Sequence, residues 1–218
     1  MSINRPYRSA MDLPTEIPIF PLQALLLPRG QLPLNIFEPR YMQMIDDALA
    51  THRVIGMIQP HVTEPPPALE HVGCAGRITQ LAETGDGRYV IALTGIARFR
   101  LGPEKGVAKP YRVAEVDFSP YALDFDPEPD MAQVDRAGVV RALREFAEAN
   151  ELGIDWKSVE KAETESLVNA LSMMSPYGVK EKQALLEAYD VKSRADMLIA
   201  ITETELARAA KTPRAPLQ

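Results

Sequence analysis

Cysteine occurs once in these 218 residues, at Cys74, and histidine three times, at His52, His61 and His71. A single thiol excludes an internal disulfide and a cysteine-rich zinc site, and three imidazoles do not make a metal constellation. Long apolar runs are missing as well. Nothing approaches the roughly 20 residues that span a bilayer, and Pro14, Pro18 and Pro21 interrupt the region after Arg5 and Arg8 where a signal peptide would need its apolar core. Positive charge is in deficit, with 24 Lys and Arg against 30 Asp and Glu for a net charge of −6. The imbalance is concentrated in residues 121–170, which hold 12 acidic and 5 basic side chains. A surface of that sign repels phosphate backbones, which are bound by displacing counterions with Lys and Arg. These absences lead to the expectation of a cytoplasmic chain with no cofactor, no metal, no nucleic-acid partner and no membrane partner.

Proline is plentiful but lopsided. Sixteen of 19 prolines and 9 of 12 glycines precede residue 130, and between 130 and 212 only Pro176 occurs. Proline lacks an amide donor and fixes φ, so it belongs at strand starts, edges and turns. The segment Ile17–Tyr41, IPIFPLQALLLPRGQLPLNIFEPRY, places five prolines among short apolar runs, which predicts short, bent strands. Strands are expected at Glu16–Phe20, Ala24–Leu27, Leu32–Phe37, Val54–Gln59, Gly76–Glu83, Arg88–Thr94, Ala97–Leu101 and Tyr111–Asp117. Thr84-Gly85-Asp86-Gly87 supplies a hairpin turn. One inserted helix starts at Pro39 and aligns Tyr41, Met44, Ile45, Ala48 and Leu49 on one face. His61–Leu69, with Pro65, Pro66 and Pro67, reads as a stiff loop.

The second half follows helical spacing. A helix capped by Asp130 carries Val139, Leu143, Phe146 and Ala147 and ends near Gly153. A second, capped by Ser158, carries Leu167, Leu171 and Met174. A third follows Pro176 and buries Leu185, Leu186 and Tyr189. A fourth begins near Asp190 or Ser193 and buries Ala195, Leu198 and Ile199. The expected class is α+β: residues 15–122 a proline-rich, barrel-like β subdomain with one inserted helix, residues 130–207 a helical bundle, and 1–14 and 208–218 flexible tails.

Four blocks together carry a resemblance. They are IPIFPL with LLLPRGQLPLNIFEPRY; Val72–Leu81 (VGCAGRITQL); Tyr89–Leu101 (YVIALTGIARFRL); and Ser172–Arg194 (SMMSPYGVKEKQALLEAYDVKSR). In order and approximate spacing the chain resembles the N-terminal substrate-binding domain of Lon proteases, over roughly residues 15–205, and its Asn-Ile-Phe-Glu-Pro-Arg-Tyr wording resembles the free-standing bacterial members. The resemblance implies a barrel of the pseudouridine-synthase-associated (PUA-like) type joined to a helical bundle. It also implies a part in substrate recognition and assembly. No G-x-x-x-x-G-K-[ST] run occurs, so a phosphate-cradling nucleotide loop is not expected, nor is the ATPase or peptidase module of the full protease.

Candidate chemistry is sparse. Cys74 and His71 are the one close Cys/His pair, but residues three apart on a strand face opposite ways, so a small packed thiol is expected. Asp124, Asp126, Glu128 and Asp130 alternate as cation ligands could, but Pro127 and Pro129 oppose the curl such a loop needs, and a solvated linker is expected. Arg98 and Arg100 form either a recognition row or the solvent side of a half-buried sheet, and the second is expected. Phe37, Glu38, Arg40 and Tyr41 are the candidate partner-binding residues. Arg40 offers a planar five-donor fork with Phe37 and Tyr41 as aromatic anchors. The competing reading is an internal pair of Arg40 with Glu38 or Asp47. The leading expectation is a non-catalytic module that binds polypeptide segments or another protein in proteolysis or quality control. A self-associating scaffold (a homo-oligomer) is the alternative, and an RNA-binding module or a Cys74–His71 hydrolase stand behind it.

Overall fold

The computed structural model describes residues 7–61 and 67–211, and the chain divides into two compact units, Met1–Pro129 and Asp130–Gln218. The expected features at 1–6, 62–66 and 212–218 lie outside the described residues. Mixed sheet and helices give an α+β fold, as the sequence predicts.

Among its described residues the first unit is built on six strands: β1 (Glu16–Pro21), β2 (Gln31–Ile36), β3 (Val54–Ile58), β4 (Val72–Glu83), β5 (Tyr89–Glu104) and β6 (Arg112–Asp117). The helix α1 (Pro39–Leu49) is inserted between β2 and β3 and buries Tyr41, Met44, Ile45 and Ala48. The order is β2-β5-β4-β3-β1-β6, and β5 also pairs with β6, so the pairings β1–β3–β4–β5–β6–β1 run in a circuit with β2 added outside it. β1 lies parallel to β3 (Ile19↔Gly56) and antiparallel to β6 (Ile19↔Arg112).

Two predicted strands, Arg88–Thr94 and Ala97–Leu101, are one 16-residue strand, β5. The Gly95-Ile96 interruption is a bulge, not a break: β4 pairs Ala75 with Ala97 but Gly76 with Gly95. An extra residue bends a strand, and here the bend lets β5 leave β2 and reach β6 with its last residues. Ala24–Leu27 is not a strand. Leu25, Leu26 and Leu27 are buried in non-repetitive chain, so the apolar run serves the core without a ladder. The predicted hairpin turn is present, with Gly87 at φ +78° donating its amide to Thr84 O at 3.0 Å.

The core gathers Ile17, Ile19, Val54, Ile58, Phe99 and Phe118, with Leu13 buried among them from the expected N-terminal tail. Each such burial contributes about 1.5–3 kcal/mol. The Phe99 ring lies edge-on to Phe118 (6.2 Å, 76°) and directly over Gly73, where a Cβ would come within 2.4 Å of it.

Among its described residues the second unit has five helices: α2 (Arg136–Ala149), α3 (Trp156–Lys161), α4 (Thr164–Met174), α5 (Val179–Glu187) and α6 (Val191–Lys211). Its caps differ from those expected. Asp135, not Asp130, caps α2 by accepting from Gly138 N at 2.8 Å, and α2 stops at Asn150, before Gly153. The predicted helix from Ser158 is two, because Ala162 and Glu163 are extended, and Asp155 caps the first. Tyr189 is 71% exposed rather than buried, since α5 has ended at Glu187. Polar groups inside this unit are paired: buried Arg194 donates to Asn169 Oδ1 and Leu185 O, both at 3.0 Å, and Tyr177 Oη lies 2.7 Å from Thr202 Oγ1.

Candidate functional site

Where β2 turns into α1, the chain must swap an extended backbone for a helical one. Glu38 takes the extended cap conformation (φ −74°, ψ 129°) and Pro39 starts the helix, where its missing amide costs nothing. This corner forms one wall of a groove of about 950 Å³. Phe20 and Leu22 from the end of β1 form a second wall, and Lys109–Arg112 at the start of β6 a third. All four sequence candidates, Phe37, Glu38, Arg40 and Tyr41, line it. Phe37 stands 62% exposed at the mouth. Tyr41 is buried in the floor, its ring 4.3 Å from that of Phe20, and burial pushes its phenol pKa up more than the neighbouring Arg40 charge lowers it.

Arg40 takes one of the two internal partners expected. It binds Glu38 through Nη2 at 2.7 Å and Nε at 2.9 Å, and its guanidinium sits 4.5 Å over the Tyr41 ring. Asp47 pairs elsewhere: Lys109 Nζ reaches it at 2.6 Å, Tyr111 Oη donates at 2.5 Å and Gln43 Nε2 at 2.9 Å. Those bonds, Lys109 first, hold the Asp47 carboxyl down to about 2. Burial and the Asp47 bond push Tyr111 well above the usual phenol range. Nothing in the sequence near the corner points to Lys109, Tyr111 and Arg112, which share its groove. They lie some seventy positions beyond the corner, and only the β1–β6 pairing brings them to it. The one local signal was the Lys-Pro-Tyr-Arg run.

The groove also includes part of a strand edge. Among the described residues β2 pairs with β5 alone, and Gly95 N donates to Gly30 O at 2.9 Å. Antiparallel alternation then turns residues 32, 34 and 36 toward β5 and Gln31, Pro33 and Asn35 outward. Pro33, having no amide, fits an outward position, and Asn35, with both N–H and C=O facing away from β5, lines the groove.

The other candidates are resolved individually. Cys74 is buried with Sγ toward Ala75 O, while His71 is exposed, so they form no thiol–imidazole pair. Arg98 corrects its reading as a solvent-side residue: it is buried and donates through Nη2 to Asp124 Oδ1 at 2.7 Å and through Nε to Oδ2 at 2.9 Å. Asp124 correspondingly leaves the expected solvated linker, having been pulled inward by that pair, whereas Arg100 is exposed. Asp126 and Asp130 accept from the amides two residues on, Glu128 and Ala132. Among the described residues no group of three or more His, Cys, Asp or Glu could hold a metal ion, and no helix is long and apolar enough to cross a membrane.

Comparison with known proteins matches residues 16–204 to the family model described as the ATP-dependent protease La (LON) substrate-binding domain. Lon protease 2 of Sorangium cellulosum is 29% identical over 202 residues, covering 87% of this chain and 25% of that protein. Lon protease 2 of Myxococcus xanthus is 29% identical over 200 residues, covering 86% and 23%. The chain thus spans about a quarter of the length of these relatives. Among solved structures, the N-terminal domain of Mycobacterium avium complex Lon protease superposes with a TM-score of 0.64 at 19% identity, covering 86% of this chain and 98% of that one. The Lon N-terminal domain protein from Xanthomonas campestris gives 0.58 at 24% identity, covering 85% and 98%.

Proposed function

The chain belongs to the family of ATP-dependent protease La (LON) substrate-binding domains, and from that premise we propose that it is a non-catalytic recognition module whose groove beside Asn35–Tyr41 captures exposed apolar segments of other polypeptides. The carrying observation is the convergence in one groove of an exposed Phe37, a Phe20–Tyr41 floor and the outward edge of β2 at Asn35. Aromatic anchors supply contact area, and a strand edge supplies main-chain bonds indifferent to sequence. That combination suits a client defined by being unfolded. In this reading the module works in the cytoplasm as an adaptor for proteolysis or quality control. The circuit of strand pairings supports a barrel of the PUA-like type as its frame.

The test is fluorescence anisotropy with a labelled, reduced and carboxymethylated protein that cannot refold. Saturable binding is expected, competed by short apolar peptides and weakened at least about tenfold by Phe37→Asp, with the melting temperature little changed because Phe37 is a surface position. Absence of binding by the native chain, or full binding by Phe37→Asp, refutes the reading. Sedimentation of the same two proteins separates client capture from self-association: a complex of copies that dissolves in Phe37→Asp would make this face a homo-oligomer contact instead.

A further inference from the structure

A second cavity in the sheet unit, of about 410 Å³, has a different character. It is lined by Arg29, Arg77, Thr79 and Thr94, with Tyr7 and Phe125 beside them. Three backbone irregularities meet there. β4 and β5 keep regular register through Gly76↔Gly95, Arg77↔Thr94 and Ile78↔Leu93, and a bulge interrupts it on each side. The extra residue is Ile96 on one side and Thr79 on the other, and both line the cavity. The third irregularity is Arg29 itself, at φ +62°. It occupies the third position of the turn Leu27–Gly30, closed by Gly30 N donating to Leu27 O at 2.9 Å. With Pro28 second, such a turn calls for glycine third, because any side chain there is strained.

Among the described residues the other two non-glycine residues with positive φ finish helices: Arg53 N bonds Ala48 O at the end of α1, and Glu151 follows the end of α2. Arg29 closes no helix. Its turn is instead pressed onto β5: Arg29 N donates to Gly95 O at 2.9 Å, and a Cβ on Gly95 would lie 2.0 Å from Leu27 O. Strain of this kind persists where the surroundings over-determine it, and it clusters at ligand sites. What it achieves here is to carry the Arg29 guanidinium, which donates through Nη2 to the Asp126 carbonyl, into the same cavity lining as Arg77.

The chemistry is that of an oxyanion cradle. Arg77 Cζ lies 5.6 Å from the Tyr7 ring centroid, a cation–π contact. Thr79 Oγ1 is within 3.2 Å of Ala92 O and 3.1 Å of Thr94 Oγ1. With Thr79 donating to Ala92 O, the Thr94 hydroxyl can turn its hydrogen toward the cavity without breaking a backbone bond. Asp124, the one carboxylate among the lining residues, has both oxygens engaged by Arg98. Two guanidinium groups and a rotatable hydroxyl lining one cavity are the donor types that a phosphate or carboxylate accepts from.

We propose that the Arg29–Arg77–Thr94 cavity binds a phosphate or carboxylate group, independently of the polypeptide groove. The experiment titrates the full chain with sodium phosphate and, separately, sodium acetate, against sodium chloride at equal ionic strength, following backbone amide shifts. Saturable shifts at Thr79, Thr94 and Gly95 with phosphate are expected, and displacement by acetate assigns carboxylates to the same site, whereas none restricts it to phosphate. Arg77→Gln should weaken the affinity at least about tenfold. Arg29→Gly is the sharper variant, since glycine takes φ +62° without strain, which offsets the lost bond to Asp126 O: its melting temperature should change little while its anion affinity falls. No anion-specific shifts, equal shifts with chloride, or undiminished binding in both variants would overturn the proposal.

Discussion

Arg40 and Arg98 each hold a carboxylate at 2.7 Å and each lies within 5 Å of a tyrosine ring centroid, yet their surroundings assign them opposite tasks. The Arg40 and Glu38 side chains are 52% and 42% exposed, and those of Arg98 and Asp124 are 3% and 6%. In water an ion pair contributes little, because solvent already satisfies both charges. Buried, neither partner can be left alone without its full desolvation penalty. The Arg98 pair bolts the Ser119–Phe125 turns to β5 through three separate donors, including Arg98 N to Asp124 Oδ2 at 2.8 Å. The Arg40 pair stands at a groove, where the proposed function would have it exchange Glu38 for a partner's groups.

The largest expected effect breaks the buried member. Asp124→Ala strands the Arg98 guanidinium and should cost about 3–5 kcal/mol, read as a drop in the urea midpoint at unchanged slope. Replacing both residues, Arg98→Met with Asp124→Leu, should recover part of that loss, since removing both charges removes the ionic penalty but still takes the Asp124 acceptor from Arg98 N. A double variant no better than Asp124→Ala would mean that the pair specifies the turn's path and not only its stability.

This contrast is also where the sequence stops being legible. Local rules sufficed for α1, because Pro39 and the Tyr41–Met44–Ile45–Ala48 spacing are contained in eleven residues. They sufficed for the Thr84–Gly87 turn and for the corner that holds the four groove candidates. They failed at Arg98, because alternation along β5 predicts a face but not that Asp124 returns to cover it 26 positions later. They failed at Leu25–Leu27, where apolar content signals burial without saying whether a ladder forms. The helix caps Asp135 and Asp155 were missed for the opposite reason: each had a rival within a few residues, Asp130 and Ser158, of equal capping chemistry. The Lys109–Arg112 wall was legible as composition and not as location.

Asp47 sharpens the comparison as an intermediate case, with its side chain 26% exposed and Lys109 44%. Its pKa is lowered from 3.8 to about 2, so the folded state favours the ionised form. The stabilisation is complete above the unfolded value near pH 4 and disappears as pH falls through about 2. Solvent screening limits it to about 1 kcal/mol. Native chain and Asp47→Asn should therefore differ by about that amount in urea at pH 7, and their curves should converge between pH 4 and pH 2. A gap that persists at pH 2 would assign the effect to packing of Tyr111 and not to charge.

The smallest effect on stability belongs to Glu38, and it is the one that tests the proposed groove most directly. Glu38 makes no side-chain cap bond to α1, so Glu38→Ala removes only the exposed partner of Arg40 and should change stability by less than about 0.5 kcal/mol. What changes is the electrostatics of the groove. Arg40 keeps its place over the Tyr41 ring, but its fork loses the internal carboxylate and is open to one on a bound segment. Two apolar peptides, identical except for a flanking Asp or Asn, separate the outcomes by anisotropy. The Asp peptide should gain about threefold in affinity for Glu38→Ala at low salt, the Asn peptide should not change, and the difference should fade as added salt screens the pair. Equal changes for both peptides, or a stability loss above about 1 kcal/mol, would place Glu38–Arg40 with Arg98–Asp124 as a structural bolt, and the distinction between the two arginines would collapse.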